Sequence, residues 1–207
     1  MSETLALLLV VVIFVILFTI GLWRSNKIFR RYVEVIREQS SPFSEYVGFI
    51  RYGRGFKALC IPKRHDVFTR IDVSVSLTWR ENPMFYLISP LFGDKDRISL
   101  WGELVRMPNL DVQIVRSRKQ LEGTCEALKD IYLDEFKITV FTDQVSEARR
   151  FIESIRHELK ESLDCLEYLR IGRDFKWVKV VGNIKSEGSI RNMFDLLLKV
   201  GESLSNL

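Results

Sequence analysis

Arg51, Arg54, Lys57, Lys63 and Arg64 place five bases without an intervening acid in fourteen residues, the densest run of chemically useful side chains in the chain. Such a run binds phosphate. The source is either lipid headgroups, at about 1 kcal/mol per base near an anionic surface, or ribosomal RNA. Tyr52 and Phe56 alternate with the bases and would stack on nucleotides if exposed, or join a core if turned inward. Solvated turns account for the same bases equally well. Arg24, Lys27, Arg30 and Arg31 add a second basic group directly after a long apolar stretch.

Pro83 to Phe92 forms a dense apolar run bracketed by prolines. Its ordinary role is a helix or strand completing the core. Should it be exposed, Met84, Phe85, Tyr86 and Leu87 would offer an adaptable surface to a hydrophobic protein partner.

Catalytic signatures are missing from the sequence. It contains no P-loop, dinucleotide glycine fingerprint, HExxH or nucleophile elbow. His65 lies in a charged turn and His157 on the polar side of a helix, neither with a ligand partner at useful spacing, so both read as surface residues. Asp94, Asp96, Asp130, Asp134 and Glu135 fall at turns or helix ends, where solvation and capping explain them. Cys60, Cys125 and Cys165 are odd in number, widely spaced and set in apolar patterns, which argues against disulfides or zinc and for a reducing compartment. The chain is therefore expected to be non-enzymatic, without metal or cofactor, and neither DNA nor a small-molecule substrate is inferred as a partner.

The elements that carry these residues begin with an anchor. Residues 5–23 hold no charge, and fifteen of the eighteen from Leu5 to Leu22 are Leu, Ile, Val or Phe. On the insertion scale these favour a bilayer by about 5 to 9 kcal/mol, and nineteen helical residues span about 28 Å, the thickness of a hydrocarbon core. A cleaved signal peptide would start basic and run shorter; a retained anchor over residues 1–23 fits better. Net charge is +4 overall, but residues 24–80 alone carry +7. By the positive-inside rule the N-terminus then faces out and the domain faces the cytoplasm, in the cell membrane or, in a eukaryote, the endoplasmic reticulum.

Ile28, Tyr32, Val35 and Ile36 continue the helix as a basic membrane-proximal segment, residues 24–42, ended by Ser40, Ser41 and Pro42. Residues 43–207 then form one domain. Ile71, Val73, Val75, Leu77 and Trp79 alternate with polar residues as in a half-buried strand. Ile98 to Leu104, Val112 to Val115, Phe136 to Phe141 and Phe175 to Val181 also read as strands, and Gly53 and Gly55 mark a turn before one containing Phe56 to Ile61. Helices are predicted from Ser117 through Leu121, Cys125, Leu128 and Tyr132, from Asp143 through Ile155 with a continuation holding Leu163, Leu166 and Leu169, and from Ile190 to Leu204. The class is α+β: one N-terminal transmembrane helix, then a mainly antiparallel sheet with helices packed on one face.

This layout, with Leu22, Trp23, Arg24, Ser25, Asn26 and Lys27 closing the anchor, strands around Ile71 to Arg80 and the helix from Asn192 to Leu198, resembles the calumin family. Calumin is the coiled-coil-domain-containing subunit of the PAT complex, an intramembrane chaperone beside the protein-conducting channel. The long acidic region before calumin's anchor and its basic coiled coil have no counterpart in these 207 residues, and no individual binding residue carries over. The resemblance implies assistance to membrane-protein insertion at the ribosome and translocon, with a small membrane protein as partner. The alternative is a tethered scaffold or sensor that binds anionic lipid and a protein.

Overall fold

The computed structural model describes residues 2–64, 66–80, 82, 95–116, 127–133, 136–142, 144–172 and 176–206. Its first element, α1 (Ser2–Ser40), is one uninterrupted helix of 39 residues. Residues 3–20 are exposed throughout, and the helix is long and apolar enough to cross a membrane, with a mean hydropathy of 3.3 over its most apolar window. Thr19 is the only hydroxyl between residues 5 and 23. Its Oγ1 donates to the Val15 carbonyl at 2.8 Å, so this hydroxyl on the bare rod is satisfied within the helix itself.

Beyond the rod the same helix becomes one-sided. Val35 and Ile36 are buried, while Ile28, Phe29, Tyr32 and Val33 pack against the core and Arg30, Arg31 and Glu34 stay exposed. Pro42, which cannot continue a helix, follows directly on Ser41, whose N–H still bonds the Arg37 carbonyl at 2.9 Å.

The described residues then build nine strands: β1 (Ser44–Tyr52), β2 (Gly55–Pro62), β3 (Phe68–Ser76), β4 (Arg97–Leu104), β5 (Val112–Val115), β6 (Ala127–Leu133), β7 (Phe136–Phe141), β8 (Leu166–Ile171) and β9 (Trp177–Asn183). They form a single sheet in the order β1-β2-β3-β4-β9-β8-β5-β7-β6, antiparallel at every described pairing. Among the described residues three helices complete the domain: α2 (Val145–Ser154), α3 (Arg156–Ser162) and α4 (Glu187–Ser205).

Register explains why the helices share one face. Ala58, Val73, Leu100, Val180, Leu169, Ile114 and Val140 stand opposite one another across seven strands, and all are buried in the same cluster as the apolar residues of α1 to α4. Between sheet and α4 the ring of Phe68 lies against two glycines: a Cβ on Gly102 would sit 2.4 Å from its Cε1, and one on Gly201 2.4 Å from its Cζ. Only hydrogen fits there.

Two helix expectations are corrected. Residues 127–133, including Leu128 and Tyr132, are strand β6 paired with β7; the i, i+4 spacing suggested a helix, but a free strand edge on β7 overrides local preference. Likewise α3 stops at Ser162, and Leu166 and Leu169 belong to β8. A register shift between Leu166 and Tyr168 sets two residues of β8 against one of β9. That bulge puts Leu166 and Leu169 on the core face although they are three apart, a spacing that mimics a helix. Ser117, Leu121, Cys125 and Asp143 lie outside the described residues; α2 itself begins with Gln144 at its N-cap.

Candidate functional site

β1 runs back along α1, so one end of the sheet lies beside the rod and the other beside Ser40. The first end is fixed by Arg51, whose Nη2 lies 3.5 Å from Asn26 Oδ1 and whose guanidinium sits over the Phe29 ring at 5.0 Å. The second is fixed by Lys63, whose Nζ donates to the carbonyls of Ser41 and Pro42 at 3.3 and 3.2 Å.

That geometry divides the basic run. Arg51, Arg54 and Lys57 cluster at the rod end, because the β1–β2 turn is only two residues, Gly53 and Arg54, with Gly53 at φ +48°. Arg54 stacks over Trp79 at 4.9 Å and Lys57 over Tyr52 at 5.3 Å. Arg24, Lys27 and Arg30 occupy the adjoining turns of α1, with Lys27 over Trp23 at 5.4 Å. Together these six bases make a cationic collar where the rod meets the domain. Arg31 is paired with Glu187 at the start of α4 and adds less free charge. Lys63 and Arg64 stand at the far end, six or more strand residues from Lys57, about 20 Å away. Phe56 is fully buried and meets Phe29 edge-on at 5.1 Å; it is a core residue. Met84, Phe85, Tyr86 and Leu87 lie outside the described residues, as do His65, Asp94, Asp134 and Glu135.

A polar node that the sequence reading missed sits under the collar. Asp96 is 3 % exposed, where solvation had been expected. It accepts hydrogen bonds from the Thr78 N–H at 2.8 Å, Arg80 Nη2 at 2.7 Å and Tyr32 Oη at 3.0 Å. Burial pushes its carboxyl up, but the bonds from Arg80, Thr78 and Tyr32 outweigh it and hold the group below the usual carboxylate range. Tyr32 is raised, by burial first and then by the Asp96 charge. The node joins α1 to the ends of β3 and β4, and the Asp96 carbonyl accepts from Ile184 N at 2.7 Å beyond β9. With Tyr32 Oη, the Thr78 N–H and Arg80 Nη2 all turned onto one carboxylate inside the fold, it is a structural clasp. Tyr32 on an otherwise apolar helix face was the one visible hint.

Elsewhere, His157 is exposed and lies 3.5 Å from Glu161 one turn on. Cys60 and Cys165 are buried free thiols. Burial pushes Cys60 up to about 11 and raises Cys165 as well, so neither is poised as a nucleophile. Among the described residues no group of three His, Cys, Asp or Glu side chains is arranged to hold a metal ion. Two clefts open at the far end, of about 510 and 580 Å³; the first has Phe43, Phe68 and Leu198 in its lining and Lys63, Arg64 and Glu202 among its polar groups.

No protein-family model and no curated protein matches the chain. Among solved structures, the crystal structure of the mycobacterial trehalose monomycolate transport factor A, TtfA, aligns over 79% of this chain and 71% of its own length, at 14% identity and a TM-score of 0.35. At that distance the likeness carries no argument about either fold or function.

Proposed function

We propose that the protein is a non-enzymatic, single-pass membrane platform: the rod lies in the bilayer, the cationic collar rests on anionic headgroups, and the α+β domain is held upright on the cytoplasmic side. One observation supports this above all. α1 passes without a break from an apolar segment exposed all round to a one-sided segment seated in the domain core, so the domain has no flexible tether and the collar is fixed at the level of Trp23. The collar bases stack on rings or lie exposed, and the strong positive field next to the rod sets the orientation by the positive-inside rule.

A fragment starting at Arg24 tests the lipid contact. It should float with vesicles rich in phosphatidylserine, stay soluble with phosphatidylcholine alone, and lose most flotation when Arg51, Arg54 and Lys57 are changed to Glu, since each base near the surface contributes about 1 kcal/mol. Equal flotation on neutral vesicles would contradict the reading.

A narrower reading, in keeping with the calumin-like layout, has the platform assist membrane-protein insertion beside the ribosome and channel with a small membrane protein as partner. The position of Arg64 favours it: this base faces away from the collar, where a cytoplasmic partner rather than lipid would meet it. Co-purification with ribosomes that fades as salt rises, and fades further in Arg64→Glu, is expected; ribosome association indifferent to both would count against it.

A further inference from the structure

We propose that the open part of the sheet face turned away from the helices, around Trp101 and Trp177, is a binding surface for single-stranded RNA. Apart from Lys57, which borders both, it rests on residues other than those of the lipid contact at the collar. Among the described residues, the apolar faces of α1 to α4 all pack on the opposite side. The side turned away from them is closed over Val115, Tyr168 and Val181, which are buried in a second cluster; beside that cluster it is open and carries Trp101 on β4 and Trp177 on β9 with ring centroids 5.2 Å apart. In register across β4, β9 and β8, Trp101 faces Lys179, which in turn faces Arg170. The Lys179 ammonium lies 4.4 Å from the Trp101 ring centre, the Arg170 guanidinium 5.9 Å from that of Trp177, and Lys57 of β2 stands over Tyr52.

The pairing of charges on this face is selective. Arg97 is matched by Glu167, and Arg70 by Asp72 at 2.9 Å and Glu103 at 3.5 Å. Among the described residues Lys57, Arg170 and Lys179 are set over rings instead of carboxylates, which leaves a positive surplus interleaved with flat π surfaces. Trp101 remains 38 % exposed and Tyr52 42 %. A ligand that uses both features needs anionic groups and planar rings at alternating positions, which is the chemistry of a single strand of nucleic acid with its bases unstacked. From β2 to β8 the site crosses four strand spacings, about 19 Å, the scale on which sheet-face modules stack two or three bases.

The alternatives fit less well. Because β1 runs along α1, the sheet face stands roughly along the rod, and a bilayer at the collar meets the ends of strands rather than this face. A second copy of the chain would bring cations against cations. An acidic peptide satisfies the charges but leaves the tryptophan pair without a purpose.

The test uses the full chain in nanodiscs of zwitterionic lipid, with fluorescence anisotropy of a short labelled oligouridine as the probe. Binding is expected to weaken about tenfold in Trp101→Ala and further when Trp177→Ala is added, and to stay within about threefold in Trp101→Phe, which keeps a ring. Lys179→Gln and Arg170→Gln, which leave the packed face untouched, should weaken binding and lower its dependence on salt, whereas Arg51→Glu at the collar should leave it unchanged. Duplex RNA binding as tightly as the single strand, polyglutamate displacing the probe as well as unlabelled oligouridine does, or loss of binding in Arg51→Glu but not in the tryptophan and Lys179 variants would each overturn the proposal.

Discussion

Ile13 and Ile36 lie on the same helix and have the same side chain, yet Ile13 is 47 % exposed and Ile36 is wholly buried. The contrast extends to their surroundings: the rod is apolar around its whole circumference, while the packed half of α1 is apolar on one stripe only. A helix apolar all round needs an apolar solvent, and a one-striped helix needs a core. α1 meets both conditions in sequence: its first half is long and apolar enough to cross a membrane, and its second half is a structural member of the domain.

Replacing the two isoleucines breaks this comparison most directly. Ile36→Ala should cost the domain about 4 kcal/mol, the lost transfer energy plus the cavity left in the core. Ile13→Ala should leave domain stability in detergent micelles unchanged within about 0.5 kcal/mol. Thermal unfolding of both variants measures the difference, and similar midpoints would mean the packed half of α1 is not part of the core.

The clasp beneath the collar sharpens the same point, since Tyr32 reaches from α1 to Asp96. Asp96→Asn removes the charge that faces Arg80 and should destabilise by about 3 kcal/mol at neutral pH. The sign with pH follows from its depressed native value. The carboxyl's stabilisation is complete above its unfolded pKa of about 3.9 and is lost as pH falls through the lower folded value. Urea unfolding should therefore show the gap between native protein and variant closing in acid; a gap that widens there would contradict the clasp.

Gly201→Ala probes the helix against which α1 leans. Alanine would normally gain about 1 kcal/mol in a helix interior, but here the methyl meets the Phe68 ring, itself backed by Gly102. Overpacking of about 2 kcal/mol wins, and a net loss of about 1 kcal/mol is expected from chemical unfolding.

Much of this scaffold was legible in the residues. The alternation from Ile71 to Val75, the run Phe136 to Phe141 and the periodicity from Ile190 to Leu204 each reflect a single dominant environment and appear where expected, although β3 stops at Ser76, short of Leu77 and Trp79. What escaped depended on distant partners. β8 was hidden by its bulge against β9, and β6 by its pairing to β7. The fate of Asp96 was set by Tyr32, 64 residues earlier, and the basic run from Arg51 to Arg64 looked like one patch until the length of β2 carried Lys63 and Arg64 to the opposite end. Linear proximity is a poor guide along a strand, where about 3.3 Å per residue quickly separates neighbours.

Amide hydrogen exchange of the full chain in lipid nanodiscs tests the central claim most directly. Continuous protection from the rod through Gly21 to Val33 is predicted, with no rapidly exchanging break at Trp23 to Lys27. Fast exchange across those residues would show a hinge between anchor and domain, and the upright, rigidly mounted platform would be wrong.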